Sequence, residues 1–180
     1  WLPVMSQFAR AGIHVLASDS RYRGADYALN MEKVTMDLGS AVRHAREVLG
    51  YKYVVLLGWS GGGSLSAFYQ AQAEHPTVTS SPCGGGPDLA TAGLLPADAV
   101  VMMAAHVSRH RTLTEWIDPA ITDEKDPDKR DSDLDLYSGL IIPPYEPNFL
   151  ERYRAAQVAR NRKITTWVKH KLAELRDAGR

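Results

Sequence analysis

Residues 56–64 read Leu-Leu-Gly-Trp-Ser-Gly-Gly-Gly-Ser, directly after the apolar run Tyr53-Val54-Val55. Four glycines surround one serine, although glycine is costly in regular structure because it loses the most backbone freedom on folding. The segment Gly58-Trp59-Ser60-Gly61-Gly62 fits the pattern G-x-S-x-G between an apolar strand and a helix. This context predicts a nucleophile elbow, a strained turn that projects the serine Oγ from the top of a sheet.

The neighbours of Ser60 have predicted roles of their own. The positions flanking the turn should be small because a Cβ there would collide with the adjoining strand or helix, and we expect Gly62→Val to cost folding stability. The N–H of Gly61 opens the helix after the serine, where unpaired donors and the positive end of the dipole favour an anion. Gly61 is therefore the predicted donor to the oxyanion of a tetrahedral intermediate, a contribution of about 3 kcal/mol.

Helices and strands alternate along the first 106 residues. Helical spacing of apolar residues predicts helices at 1–10, 31–49 and 64–74. Short apolar runs predict strands at Ile13–Ser18, Tyr53–Leu57 and Ala99–Ala105, and residues 77–96 form a loop without a period. We therefore expect an α/β fold with a parallel sheet and helices on both faces.

The composition changes after His106. Residues 118–135 carry eight carboxylates, prolines 143, 144 and 147 interrupt the next stretch of chain, and 149–175 predict one long helix with many Arg and Lys side chains. We expect two domains: 1–106, the core with the elbow, and 107–180, a helical cap or lid segment.

The first domain resembles the α/β-hydrolase superfamily. The resemblance rests on the elbow in its strand and helix context, and on Asp19-Ser20-Arg21-Tyr22-Arg23-Gly24, which is similar to the D-x-R-G-like loop of that family. It implies a serine hydrolase of the carboxylesterase or lipase kind, with Ser60 as nucleophile, Gly61 as oxyanion donor, and Trp59 and His106 as substrate-binding pocket walls. The partner implied is a small-molecule acyl substrate, and this chemistry requires neither metal nor organic cofactor.

A complete catalytic triad is not recognisable in the sequence. In this family the order is serine, acid, histidine, and four histidines come after Ser60: His75, His106, His110 and His170. No later strand supplies an acid and a base histidine in the usual place, and no H-G-G-like loop for the second oxyanion donor precedes the first helix. We expect a piece of a longer enzyme, or completion by another chain or a second copy, and we expect the 180 residues alone to hydrolyse esters hardly faster than Ser60→Ala. Strong hydrolysis that depends on Ser60 would instead indicate His106 or His110 as the base.

Other interpretations stay open beside the hydrolase. The main alternative is a non-catalytic scaffold or interaction module with this fold, and a third is a lyase or acyltransferase.

The three glycines after Ser60 lack the Lys and Ser or Thr of a phosphate loop. Residues 131–135 match the first positions of a calcium-binding loop, but the glycine and the bidentate glutamate that such a loop needs further on are missing. We therefore interpret residues 118–135 as a solvated acidic segment.

Composition limits the remaining classes of function. The 180 residues have a net charge of zero and 44% apolar residues, which gives no electrostatic reason to expect nucleic acid. No apolar run reaches the length of a membrane span. The single cysteine, Cys83, excludes an internal disulfide and fits a reducing compartment, so we expect a cytoplasmic protein.

Overall fold

The computed structural model describes residues 3–24, 29–82 and 84–179 of the chain. The chain divides into two compact units, Trp1–His106 and Val107–Arg180. The first unit is mixed α/β, with five regular elements besides one π-helical turn among its described residues: α1 (Pro3–Arg10), α2 (Met31–Arg43), β1 (Val55–Trp59), α3 (Gly61–Glu74) and β2 (Ala99–Met103).

The sheet of the first unit consists of β1 and β2, which pair in parallel from Val55 opposite Ala99 to Trp59 opposite Met103. Leu56 of β1 packs with Val42 and Tyr69 in the core cluster. Tyr69 of α3 is fully buried, and its hydroxyl donates to the carbonyl of Leu95 at 2.6 Å. Burial raises the pKa of this phenol to about 12. The core therefore lies between α2, α3 and the inner side of β1.

The strand predicted at Ile13–Ser18 is absent from the sheet. Residues 13–20 form no helix, strand or turn, and Ile13 to Ser18 are exposed. Val15 and Leu16 expose 43% and 50% of their surface. Apolar periodicity indicates that a segment can serve as a strand, but strand structure also needs a hydrogen-bonded neighbour, and this segment has none in the described part of the first unit. The prediction of a third parallel strand is therefore wrong for this structure.

The helix predicted at 31–49 is present with an altered end. Asn30 accepts a hydrogen bond from Lys33 N–H at 2.9 Å and caps α2, which continues from Arg43 into a π-helical turn, His44–Val48. Gly50 then ends the helix with φ 70°, a left-handed conformation that glycine adopts without cost. Arg21 of the preceding loop binds Asp37 of α2 through a contact of 2.6 Å. The loop that resembles the D-x-R-G-like segment is thereby fastened to α2.

The second unit contains α4 (Arg109–Trp116), a hairpin of β3 (Ile121–Asp123) and β4 (Asp126–Arg130), and the long helix α5 (Pro147–Asp177). The helix predicted at 149–175 is present. The acidic stretch 118–135, interpreted above as a solvated segment, contains an antiparallel ribbon at residues 121–130. Its turn is fixed by Asp123, whose carboxylate accepts from Lys125 N–H at 3.0 Å.

Ion pairs hold the second unit together beyond its hairpin. Arg130 binds Asp118 at 2.6 Å and Asp135 at 2.7 Å, and these two carboxylates raise the pKa of its guanidinium. Gln157 of α5 is buried and donates to the carbonyl of Glu115 at 2.6 Å. In the parts of the chain that the structure describes, no helix combines the length and apolar character needed to cross a membrane.

Candidate active site around Ser60

Ser60 lies at the turn from β1 to α3 with an unusual backbone conformation. Its φ and ψ are 54° and −120°, in a region that residues with a Cβ rarely adopt and that costs about 1–3 kcal/mol. Trp59 ends the strand immediately before it, and Gly61 begins the helix immediately after it. The sharp strand-to-helix turn therefore lies at the residue where the sequence predicts it.

The segment after β2 makes a second strained turn beside the first. Ala104 has φ 43°, again a left-handed value that is costly for a residue with a side chain. Two main-chain hydrogen bonds join this turn to Ser60. Ser60 N–H donates to the Met103 carbonyl at 3.1 Å, and His106 N–H donates to the Ser60 carbonyl at 3.0 Å. The backbone of the elbow and the backbone at His106 are therefore fixed relative to each other.

The side chains of Ser60 and His106 meet at this junction. Ser60 Oγ lies 3.2 Å from His106 Nε2, within hydrogen-bonding reach of a serine and a general base. Both residues are half-buried. The sequence predicts His106 as a pocket wall, and the structure places its ring nitrogen directly against the nucleophile candidate.

Gly61 and Trp59 are the chain neighbours of Ser60. As the first residue of α3, a helix of 14 residues, Gly61 has an N–H without an acceptor inside the helix, and the positive end of the helix dipole lies there. Trp59 exposes half of its surface, which leaves an aromatic face beside the serine. The two residues can supply an anion donor and an apolar surface at the same place.

The glycines around Ser60 differ in what they are needed for. A Cβ on Gly58 would overlap the carbonyl of Gly62 and lie 2.6 Å from Gly63 Cα, and a Cβ on Gly63 would overlap the side chain of Ala105. Apart from its chain neighbours and the backbone of its own helix, no atom of the described residues lies within 4 Å of a Cβ added to Gly62. The prediction that Gly62 tolerates no side chain is therefore wrong. Strand and helix approach most closely at Gly58 and Gly63, and Gly62 faces open space.

The other candidate histidines lie elsewhere in the chain. His75 caps the far end of α3, about 20 Å from Ser60 along a 14-residue helix. His110 and His170 belong to the second unit, where His110 is exposed on α4 and His170 pairs with Glu174 at 3.2 Å. Cys83 lies outside the described residues. No group of three His, Cys, Asp or Glu side chains within residues 3–24, 29–82 and 84–179 is arranged to hold a metal ion.

Sequence reasoning missed two contributors to the site. Ala104 and Ala105 carry no chemical signal, yet the first sets the direction of the chain into His106 and the second packs against Gly63 of α3. Their sequence signal is the small size of two consecutive residues between an apolar strand and a histidine. Small side chains at that point are what a close approach to a glycine-rich helix requires.

Comparison of the chain with models of known protein families, with curated proteins and with solved structures found no match in any of the three.

Proposed function

We propose that the chain is a serine hydrolase of the α/β-hydrolase kind that cleaves an ester or related acyl bond through a covalent acyl-enzyme on Ser60. The observation that carries the proposal is the 3.2 Å contact between Ser60 Oγ and His106 Nε2 at a strained turn between strand and helix. A hydroxyl becomes an effective nucleophile when an adjacent imidazole takes its proton. Strain at such a position is costly and is typical of functional sites.

The first half of the proposed reaction uses His106 as the base. Its Nε2 takes the Ser60 proton while Oγ attacks the acyl carbonyl carbon and the carbonyl electrons move onto oxygen. The Gly61 N–H donates to that oxyanion, a contribution of about 3 kcal/mol for one good donor. As the intermediate collapses, the bond to the leaving oxygen breaks and His106 returns the proton to it, which leaves an acyl group on Ser60.

The second half repeats these steps with water. His106 takes a proton from water as the water oxygen attacks the acyl carbon, and the proton then passes to Ser60 Oγ as the acid is released. The same residues serve both halves, and the chemistry calls for no metal or organic cofactor. The half-exposed Trp59 beside the serine favours substrates with an apolar acyl or alcohol group.

A fluorophosphonate probe tests the proposal because it phosphonylates only activated serines. We expect stoichiometric labelling of the chain at Ser60 and no labelling of Ser60→Ala. His106→Gln should slow the labelling by about 10²–10⁴ because the general base is lost. His75→Gln is the matched control. This histidine caps the end of α3 opposite to Ser60, and its loss should leave the labelling rate unchanged.

The opposite result favours the non-catalytic alternative. If folded wild-type chain is not labelled, Ser60 is an ordinary hydroxyl and the fold serves as a scaffold or interaction module. If His106→Gln labels as fast as the wild type, the base is another group and the expectation of a histidine elsewhere is favoured. Circular dichroism of each variant ensures that a lost label reports chemistry in a folded chain.

A further inference from the structure

A groove lies between α4 and α5 in the second unit. Its volume is about 800 Å³, within the range of pockets that hold small molecules. The α4 wall is the helix face that carries His110 and Arg111, and the α5 wall is the face that carries Leu150, Arg154 and Val158. Residues four apart lie on the same face of a helix, so the α5 wall is a continuous strip of side chains.

Hydrogen bonds fix one end of this α4–α5 groove. Gln157 of α5 is buried, and its Nε2 donates to the carbonyls of Glu115 at 2.6 Å and Ile117 at 3.1 Å. One turn further along α5, Asn161 donates to Thr114 Oγ1 at 2.8 Å. These bonds hold the last turn of α4 against α5, and the groove extends from there towards the N-terminal ends of both helices. Its two walls are therefore fixed in relation to each other by the protein itself.

Two arginines and one carboxylate line the groove. Arg111 donates to Glu115 through Nε at 3.1 Å, so the negative charge is already balanced. Arg154 makes no ion pair or hydrogen bond among the described residues, whereas Arg130 and Arg160 of the same unit each bind a carboxylate. A guanidinium can form two parallel hydrogen bonds with a carboxylate or a phosphate. Arg154 can therefore offer both of these bonds to an anion in the groove.

The groove also presents apolar and aromatic surface beside these charges. Leu150 and Tyr153 of the α5 wall are half-buried, and Val158 exposes 39% of its surface. Burial, and then the nearby Asp118 carboxylate, raise the pKa of the Tyr153 phenol, so this hydroxyl keeps its proton at neutral pH and can donate a hydrogen bond. Transfer of apolar surface out of water is favourable, so the apolar part of a ligand would gain from contact with these side chains.

We propose that the α4–α5 groove binds a small organic anion, which has a carboxylate or phosphate head group on an aromatic or alkyl body. The head group accepts two hydrogen bonds from Arg154, and Arg111 and His110 provide further donors from the α4 wall. The body lies against Leu150 and Tyr153. The site lies entirely within the second unit, so it goes beyond the proposed hydrolase and does not depend on it.

Fluorescence titration with 2-naphthoate tests the proposal, because this aromatic carboxylate reports its own binding. We expect 2-naphthoate to bind about tenfold or more tightly than 2-naphthamide, a neutral molecule of the same shape, since hydrogen bonds to charged groups are the stronger ones. Titration with 2-naphthyl phosphate compares the two head groups. Tighter binding of either anion than of the amide supports the proposal, and the tighter anion identifies the head group. Equal binding of the amide and both anions would overturn it.

Two arginines of α5 provide matched variants. Arg154 lies in the groove wall, and Arg162 lies roughly 12 Å further along the helix. Both are exposed, and neither makes an ion pair among the described residues. Arg154→Gln should weaken anion binding about tenfold, and Arg154→Lys should restore only part of it because lysine lacks the planar fork. Arg162→Gln should change the affinity less than about twofold, since exposed charges at this distance are screened. Unchanged affinity in Arg154→Gln would contradict the site.

A further control separates this groove from the candidate active site. Trp59→Ala removes the aromatic surface next to Ser60 in the first unit and should leave the affinity for 2-naphthoate unchanged. In NMR spectra of the chain, the ring resonances of His110 should shift during the titration, and those of His170 should stay in place. An affinity that falls in Trp59→Ala, or His110 resonances that do not move at saturation, would overturn the proposal.

Discussion

Two residues with side chains, Ser60 and Ala104, hold left-handed backbone values beside each other at the site. Each such residue costs about 1–3 kcal/mol. Two main-chain hydrogen bonds and one side-chain contact tie the two turns together, and these contacts keep the strained conformation in place. The same contacts bring Ser60 Oγ to His106, so the strain and the proposed chemistry have one structural origin.

Replacing the strained serine with glycine should stabilise the protein. Glycine adopts positive φ without the steric penalty of a Cβ, so Ser60→Gly should have a free energy of unfolding about 1 kcal/mol higher than Ser60→Ala. Urea denaturation of both variants measures the difference. At Ser64, inside α3, the order should reverse, because glycine is less favourable than alanine in a helix by about 1 kcal/mol. Equal stabilities at position 60 would contradict the strained elbow.

Three alanine substitutions separate the roles of the glycines. Gly58→Ala and Gly63→Ala should each destabilise the fold by about 2 kcal/mol, because their Cβ atoms meet backbone or a neighbouring side chain. Gly62→Ala should be neutral or stabilising by up to about 1 kcal/mol, since it gains helix propensity in open space. Thermal unfolding of the three variants gives the comparison. A Gly62→Ala variant that is the least stable of the three would reinstate the tight contact that the sequence predicted there.

The individual elements show which local patterns are enough to define structure. The helical spacing of apolar residues was enough to predict α2, α3 and α5, because a helix makes its hydrogen bonds within its own segment. The strands depended on a neighbour: Ala99–Met103 pairs with β1, whereas Ile13–Ser18 has equal apolar character and no partner within the described residues. The hairpin at 121–130 gave no signal because its strands are charged and short, and its turn depends on carboxylates that accept main-chain N–H groups.

Asp98 should make the pairing of β1 with β2 sensitive to acid. Its carboxylate accepts from Val54 N–H at 2.7 Å and from Arg46 at 2.9 Å. The Val54 N–H first, and then Arg46, hold its pKa below the ordinary value. The contribution to stability is therefore present above the unfolded-state pKa of about 3.9 and is lost as the pH falls through the lower folded-state pKa.

The variant Asp98→Asn removes this dependence. Its free energy of unfolding should be lower than that of the wild type at pH 6, and the difference between the two should shrink as the pH falls below about 4. Denaturant unfolding across this pH range measures the difference. Asp88→Asn serves as the control, since among the described residues the Asp88 carboxylate accepts only from the N–H groups of Ala90 and Thr91 in its own turn. A difference that grows towards acid would contradict the sign of the pKa shift.

At the scale of the whole chain, many large apolar side chains remain exposed, among them Leu16, Tyr53, Val55, Ile142 and Trp167. Contiguous exposed apolar surface marks interaction sites or association. The sequence predicted the order of helices and the position of the elbow, because these depend on local spacing. It predicted His106 as a pocket wall near Ser60, but not the direct contact of His106 Nε2 with Ser60 Oγ. That contact depends on how residues 103–106 return to the elbow, over a sequence separation that no local pattern encodes.

The exposed apolar side chains Ile13, Val15 and Leu16 should make the chain bind a hydrophobic dye. We expect the fluorescence of 8-anilinonaphthalene-1-sulfonate to rise on addition of folded chain. Leu16→Lys should reduce this rise by roughly half, because it places a charge among these exposed apolar side chains. Leu140→Lys charges a leucine of the second unit that is 79% exposed and should have a smaller effect. A wild-type chain that gives no dye signal would show that these apolar side chains are covered in solution.

The central claim is a covalent acyl-enzyme on Ser60 with His106 as the base. This proposal replaces the sequence-based expectation that the 180 residues alone are almost inactive, because Ser60 Oγ lies 3.2 Å from His106 Nε2. Rapid acid quenching of the chain with excess p-nitrophenyl acetate, followed by mass spectrometry of its peptides, tests this claim most directly. We predict one acetyl group on the peptide that contains Ser60, formed in a burst equal to the enzyme concentration, absent from Ser60→Ala and strongly slowed in His106→Gln. A folded wild-type chain that releases p-nitrophenol no faster than Ser60→Ala, with no acetyl group on Ser60, would contradict it.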